Sequence, residues 1–356
     1  MLWLSHGLAM AADTPASAHA SASAKVRASA SANSSNASSN ASAGSSAAVA
    51  ASATAAAPAV APATVPKGAP TASTEAPPSA PPKSGLAAIL EAAPPEDWRK
   101  PNPENTLYME LPGGRVVIEL APMFAPQHVA NIRALAREGY FDGLQVMRSQ
   151  DNYVVQWGDP NEKNPVPIKT AKRHVKAEFS VPVKRDFPFT RLPDRDGYAP
   201  KTGFSDGFPV GYDSKTGQAW MTHCYGMVGS GRDNDEDSGG GTELYAVNGH
   251  APRHLDRNVT LVGRVIDGMP LLSTIARGKA PFGFFTEYHE FVPIRQIVLA
   301  ADVPEKERSK LELLKTDSKS FKAAVEALRN RKGDWYKTQA GHIEVCNIPP
   351  MVRTIK

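Results

Sequence analysis

One arginine inside an apolar strand pattern constrains this chain more than any other feature. Residues 139–159 read GYFDGLQVMRSQDNYVVQWGD, with apolar side chains alternating as Leu144, Val146 and then Tyr153, Val155, Trp157. Such alternation predicts two half-buried strands joined by a polar turn at residues 149–152. Arg148 falls within the first of them, Tyr153 follows it by five residues and Gln156 by eight. A guanidinium between strands that face a core is costly unless it has a task.

The same alternation recurs at Leu107, Met109, Leu111 and at Val116, Ile118, Leu120, with Pro112-Gly113-Gly114 as the turn between the two runs. Ala125-Pro126 then opens a helical pattern. Val129, Ile132, Leu135 and Ala136 share one face, and Gly139 ends it. Residues 161–218 are rich in Pro, Gly and charge and read as irregular, with 181–220 an elaborated surface loop. Leu311, Leu314, Phe321, Val325 and Leu328 recur at helical spacing, which predicts a charged amphipathic helix over 304–332 docked on its own domain.

Residues 12–84 are almost entirely Ala, Ser, Pro, Thr and Asn and hold no aromatic residue. They cannot bury enough apolar surface to offset chain entropy, so a disordered tail is expected. That tail holds four of the 40 Lys/Arg and two of the 36 Asp/Glu, leaving 36 against 34 elsewhere. This near balance argues against a nucleic-acid partner. Residues 1–11 read as the end of a secretory signal, with Ala9-Met10-Ala11 as the cleavage site. A periplasmic or secreted protein is expected, or a cytoplasmic one if the segment is not a signal. No later run approaches the ~20 apolar residues of a membrane span. Cys224 and Cys346 either pair or stay separate thiols. The acidic run from Asp233 to Gly239 resembles a calcium loop, but its glycine comes one residue late and Leu244 stands where glutamate is required. No metal or cofactor is expected.

The 139–159 stretch resembles the signature of the cyclophilin-type peptidyl-prolyl isomerases. Gly139-Tyr140-Phe141-Asp142-Gly143 matches its opening and Gly158-Asp159-Pro160 its end. Arg148 falls on the family's arginine, Tyr153 on a pocket phenylalanine and Gln156 on its glutamine. Met147 departs from the usual histidine and Trp157 from a glycine. Glu178-Phe179 fits a family pair further on. A second match runs through Tyr225-Gly226-Met227-Val228, Thr242-Glu243-Leu244-Tyr245-Ala246, His254-Leu255-Asp256 and Val262-Gly263-Arg264-Val265. Residues 266–275 resemble the family's second helix and 294–300 its last strand.

The resemblance implies a mainly β fold: a closed, antiparallel, eight-stranded barrel with two capping helices. The expected layout is a signal remnant (1–11), a disordered tail (12–84), a linker (85–104), the barrel domain (105–302) and a helical extension (303–356). The implied activity is cis–trans isomerisation of X-Pro bonds in exported polypeptides, by a monomer. That reaction must overcome a barrier of ~18–20 kcal/mol set by amide resonance. It needs no nucleophile, only a pocket for the proline ring and a donor to the prolyl nitrogen of the twisted amide. The family's pattern makes Arg148 the donor and Gln156 a second catalytic residue, which either holds the substrate backbone or orients Arg148. Tyr153, Val154, Glu243, Tyr245, His254 and Leu255 become the substrate-binding residues. Glu243 replaces a common glutamine and places a carboxylate near Arg148. His254 replaces an aromatic residue, which implies weaker cyclosporin binding. The alternative is a binding module, in which the same pocket grips proline segments as a chaperone or scaffold with little turnover.

Overall fold

The computed structural model describes residues 85–161 and 163–355. The expected signal remnant (1–11) and the Ala/Ser/Pro-rich segment expected to be disordered (12–84) lie outside the described residues. Short elements come first: α1 (Leu86–Ala92) and β1 (Trp98–Arg99). The main domain starts with β2 (Thr106–Leu111), β3 (Gly114–Leu120), α2 (Pro126–Arg137), β4 (Gln145–Ser149) and β5 (Tyr153–Gly158). Then come β6 (Val181–Pro182), β7 (Thr190–Arg191), β8 (Lys201–Ser205), β9 (Phe208–Asp213) and β10 (Gln218–Met221). The domain resumes with β11 (Met227–Ser230), β12 (Leu244–Asn248), β13 (Leu261–Asp267), α3 (Met269–Ser273), β14 (Val292–Pro293) and β15 (Gln296–Leu299). β16 (Leu311–Leu314), α4 (Lys319–Arg329) and β17 (Val352–Thr354) complete the chain.

The expected closed eight-stranded barrel is not what forms. The main sheet is an open, curled half-barrel of nine strands in the order β14-β4-β5-β12-β11-β13-β3-β2-β15. Its edges, β14 and β15, are consecutive in the chain and separated only by Ile294 and Arg295. β14 pairs with β4, and β15 with β2. Between them the Ile294 N–H donates to Leu144 O, and the Arg295 N–H to Glu110 O. Both edge segments are thus committed to inner neighbours. The chain therefore runs straight from one edge strand to the other without the two pairing as a ladder, and Pro293 has no N–H to offer one.

The two faces of this sheet bury different cores. Leu107, Ile118, Val155, Trp157, Leu244 and Ala246 point to one, where Val129, Ile132 and Leu135 of α2 cover them. α2 has no side-chain cap of its own at Ala125. Glu178 supplies one from a distance: its carboxylate accepts from the backbone N–H of Gln127 and of His128, each at 3.0 Å, and meets His128 Nδ1 at 2.8 Å. A carboxylate there satisfies orphan donors and complements the helix dipole. α3 is shorter than the resemblance implies, with five residues where ten were expected.

Val154, Tyr245, Val247, Met227 and Leu261 point to the other face. Residues 181–220 cover part of it, not as the loop expected but as a second sheet in the order β6-β10-β9-β8-β7. Its β8–β9 hairpin turns on Asp206-Gly207, both at positive φ, the two-residue turn that suits strand twist. The C-terminal segment covers more. It is not a helix over 304–332: Leu311, Leu313 and Leu314 lie in β16, and after a single 3₁₀ turn at Glu305–Glu307 the α-helix begins only after Ser318, whose hydroxyl accepts from Phe321 N–H at 3.0 Å. Phe321, Val325 and Leu328 of α4 then join the outer core. Residues 85–104, expected as a linker, contribute β1, which pairs with β16. A disulfide joins Cys224 to Cys346. Among the described residues no helix is long and apolar enough to cross a membrane.

Candidate active site

Strict alternation would send Arg148 the same way as Val146, into the inner core. A bulge prevents that. Val146 pairs with Trp157, but Arg148 pairs with Gln156, so the register shifts by one residue at Met147. Bulges re-aim side chains in this way. Arg148 therefore shares a face with Gln156, and Gln156 lies opposite Tyr245, which in turn lies opposite Gly229. One row thus crosses four strands on the outer face.

Arg148 is only 1% exposed. Its Nε donates to Phe282 O at 2.7 Å, Nη1 donates to Gln156 Oε1 at 3.1 Å, and Nη2 donates to Gln150 Oε1. The rings of Phe284 and Tyr153 flank the guanidinium, with centroids 4.9 and 5.7 Å from Cζ. Burial lowers its pKa from the ordinary arginine value, opposed by Tyr153. Three of the five N–H donors of a guanidinium are thus matched among the described residues. Gln156 also donates from Nε2 to Glu243 Oε2 at 2.8 Å. Glu243, expected beside Arg148, engages it through this intervening amide.

The expected apolar surface is assembled next to that row. Val154, Tyr245 and Leu255 lie in one cluster with Met227 and Val247, and Tyr153 packs against it. Tyr153 is half-buried and His254 exposed; their rings stack at the rim, 6.4 Å apart and within 4° of parallel. The hydroxyl of Tyr153 is buried and has no partner among the described residues. Tyr245 instead turns its hydroxyl inward to His223 Nε2, at 3.0 Å, and burial pushes its pKa well above the usual phenol range.

All eight predicted site residues thus gather on one face. Sequence reasoning missed Gln150, Phe282 and Phe284 as the partners that clamp Arg148. The first stands only two residues from the arginine, but the others come from 134 residues or more away and carry no local signal. His223, which meets Tyr245, was not picked out either.

Residues 106–292 match the model of the family described as cyclophilin type peptidyl-prolyl cis-trans isomerase/CLD. A probable peptidyl-prolyl cis-trans isomerase of Brucella suis is 43% identical over 58 residues, covering 16% of this chain and 30% of that protein. Human peptidyl-prolyl cis-trans isomerase-like 1 is 37% identical over 71 residues, covering 20% and 40%. The aligned stretches therefore span less than half the length of these relatives. The crystal structure of cyclophilin AquaCyp293 from Hirschia baltica is similar over 73% of this chain and 94% of its own, with 25% identity and a TM-score of 0.58. The family match spans more than half of the chain, and the row from Arg148 to Tyr245 lies within it: this protein belongs to the cyclophilin-type peptidyl-prolyl isomerase family.

Proposed function

We propose that this chain catalyses cis–trans isomerisation of X-Pro bonds in exported polypeptides, as a monomer. The observation that carries the reading is the bulge-aimed Arg148, clamped on three sides and level with Gln156 and Tyr245. Val154, Tyr245 and Leu255 offer the proline ring an apolar seat. As the amide twists, the prolyl nitrogen becomes pyramidal and gains a lone pair. A guanidinium N–H held in place donates to it without reorganising, so the stabilisation is specific to the transition state. Gln156 keeps the guanidinium in its plane, and Glu243 keeps the Gln156 amide oriented so that its oxygen faces Arg148. No proton leaves the enzyme and no covalent bond forms.

Isomerisation of an X-Pro tetrapeptide by the full chain and by Arg148→Ala tests this. The expected result is a fall in kcat/KM of about 100-fold or more, the scale for losing a preorganised donor. Equal turnover in the two proteins would refute it. A second reading is a proline-segment binder with little turnover, which the near-complete burial of Arg148 favours. It predicts tight peptide binding by both proteins and no turnover by either. The disulfide supports the exported setting, since such bonds persist in oxidising compartments. Native protein recovered from the cytoplasm with both thiols free would overturn that part, and a dimer by light scattering would overturn the monomer.

A further inference from the structure

A buried polar chain stands behind Tyr245, and the isomerase chemistry above does not use it. His223 is 0% exposed. Its Nε2 meets the Tyr245 hydroxyl, while its Nδ1 lies 3.0 Å from Asp256 Oδ1, which also accepts from the His223 backbone N–H at 2.9 Å. Asp256 Oδ2 accepts from Arg253 Nε at 2.6 Å, and the Arg253 fork donates to both oxygens of Asp196 at 2.9 and 3.0 Å. Polar groups buried in this number cost desolvation, and only full mutual satisfaction offsets it. A phenylalanine at position 245 would need none of them. Both oxygens of Asp256 already accept, from Arg253 Nε and the His223 backbone N–H, so Nδ1 facing that carboxylate carries the imidazole proton and Nε2 accepts from the tyrosine. Burial lowers the His223 pKa, with Asp256 opposing, which keeps the ring neutral and able to accept near neutral pH.

The other side of the Tyr245 ring is held by shape. A Cβ built on Gly229 would lie 2.3 Å from both Cζ and Oη of Tyr245. The ring therefore occupies space that any other residue at 229 would fill. Hydrogen bond at the tip and backbone along the edge leave it one tilt. Tyr245 lies directly opposite Gln156, the residue that orients Arg148.

Building on the isomerase reading, we propose that His223 is a positioning residue: by holding the Tyr245 hydroxyl it sets the tilt of that ring, and so the depth of the seat that receives the substrate's proline. Asp256, Arg253 and Asp196 hold His223 in turn. His223 itself touches no substrate.

The test uses the full chain as wild type, His223→Ala, His223→Gln, Tyr245→Phe and Arg148→Ala. An Ala-Pro tetrapeptide is the probe, with KM and kcat from exchange NMR and affinity from shift titration. His223→Ala and Tyr245→Phe should each raise KM and weaken affinity roughly three- to tenfold, the span of one net hydrogen bond, with kcat changed less than about twofold. His223→Gln should restore both, since its amide can donate to Asp256 and accept from Tyr245. A variant carrying both His223→Ala and Tyr245→Phe should be no worse than either single one. Should His223→Ala fail to fold, the near-isosteric Tyr245→Phe and His223→Gln carry the comparison. Unchanged KM and affinity in Tyr245→Phe, or no rescue by glutamine in a folded protein, would overturn the proposal while leaving the isomerase intact. Should the wild type turn over no faster than Arg148→Ala, the isomerase reading fails by itself. The affinities then decide: weakening by Tyr245→Phe with glutamine rescue supports the pinned seat, and unchanged or absent binding overturns it.

Discussion

Gly229→Ala should cost this protein far more than a methyl group in an exposed strand. The added Cβ would lie 2.3 Å from Cζ and Oη of Tyr245 and 2.7 Å from Cε1, well inside van der Waals contact. Either β11 or the ring must move. β11 is paired on both sides, with β12 and β13, so its backbone is held. The ring can tilt only by giving up His223 Nε2. Overpacking of a filled core costs about 1–3 kcal/mol. A lost hydrogen bond that leaves a buried imidazole nitrogen without a donor adds about 1–3 kcal/mol. The expected loss is therefore about 2–6 kcal/mol, and Tm should fall by roughly 4–24 °C at the 2–4 °C per kcal/mol of a domain this large. Urea and thermal denaturation of the full chain measure it. Replacing Tyr245 by Val in the Gly229→Ala background should recover part of the loss, because the clash partner is gone. A Gly229→Ala protein with wild-type midpoint and wild-type KM would refute the packing argument, and with it the claim that the Tyr245 ring is pinned.

Three further outcomes follow from other parts of the molecule. Tyr153→Phe should stabilise the fold by about 1 kcal/mol in urea denaturation, because it removes a buried hydroxyl with no partner among the described residues. Opening the Cys224–Cys346 bridge, which spans 122 residues, should cost about 4–5 kcal/mol by the chain-entropy account; Cys224→Ser with Cys346→Ser at wild-type stability would refute it. Burial raises the Glu178 pKa, but bonds from His128 and from the Gln127 and His128 backbone outweigh this and hold it below the usual glutamate value. A depressed folded pKa gives stability that is present above about pH 4.5 and lost as pH falls through the folded value. The stability gap between wild type and Glu178→Gln should therefore shrink between pH 7 and pH 3, and a gap that stays constant would show that the charge contributes nothing.

What was legible in the sequence was whatever a short period or a local turn specifies. The β2–β3 pair, α2 with its buried Val129, Ile132 and Leu135, and the β4–β5 pair all follow from spacing alone. The bulge at Met147 was not legible, because one extra residue in a strand leaves no mark on composition. The second sheet was missed for a different reason. Asp206-Gly207 is a strong hairpin signal, flanked by Phe204 and Phe208, but the many prolines and charges of residues 161–218 outweighed it. Leu311, Leu313 and Leu314 fit a strand as well as a helix, and only pairing with β1 and β17 decides between them.

The departures from the family pattern become intelligible once the two faces are separated. Met147 and Trp157 adjoin Arg148 and Gln156 in sequence, yet Trp157 points into the inner core and Met147 sits buried at the bulge. Both side chains are buried in packing, Trp157 on the face opposite the Arg148–Gln156–Tyr245 row. Glu243, Tyr245, Tyr153 and His254 lie on the outer face. There each change comes with a partner or a position that accommodates it. Glu243 meets the Gln156 amide, Tyr245 meets His223 across the space left by Gly229, and Tyr153 stacks on His254. Each pairing joins residues far apart in sequence: Gln156 and Glu243 are 87 residues apart, His223 and Tyr245 are 22. Such matched changes are what a retained site requires, because an unmatched polar group at any of these positions would cost the fold directly. The one exception is the Tyr153 hydroxyl, which is why its removal is the substitution on this face expected to stabilise.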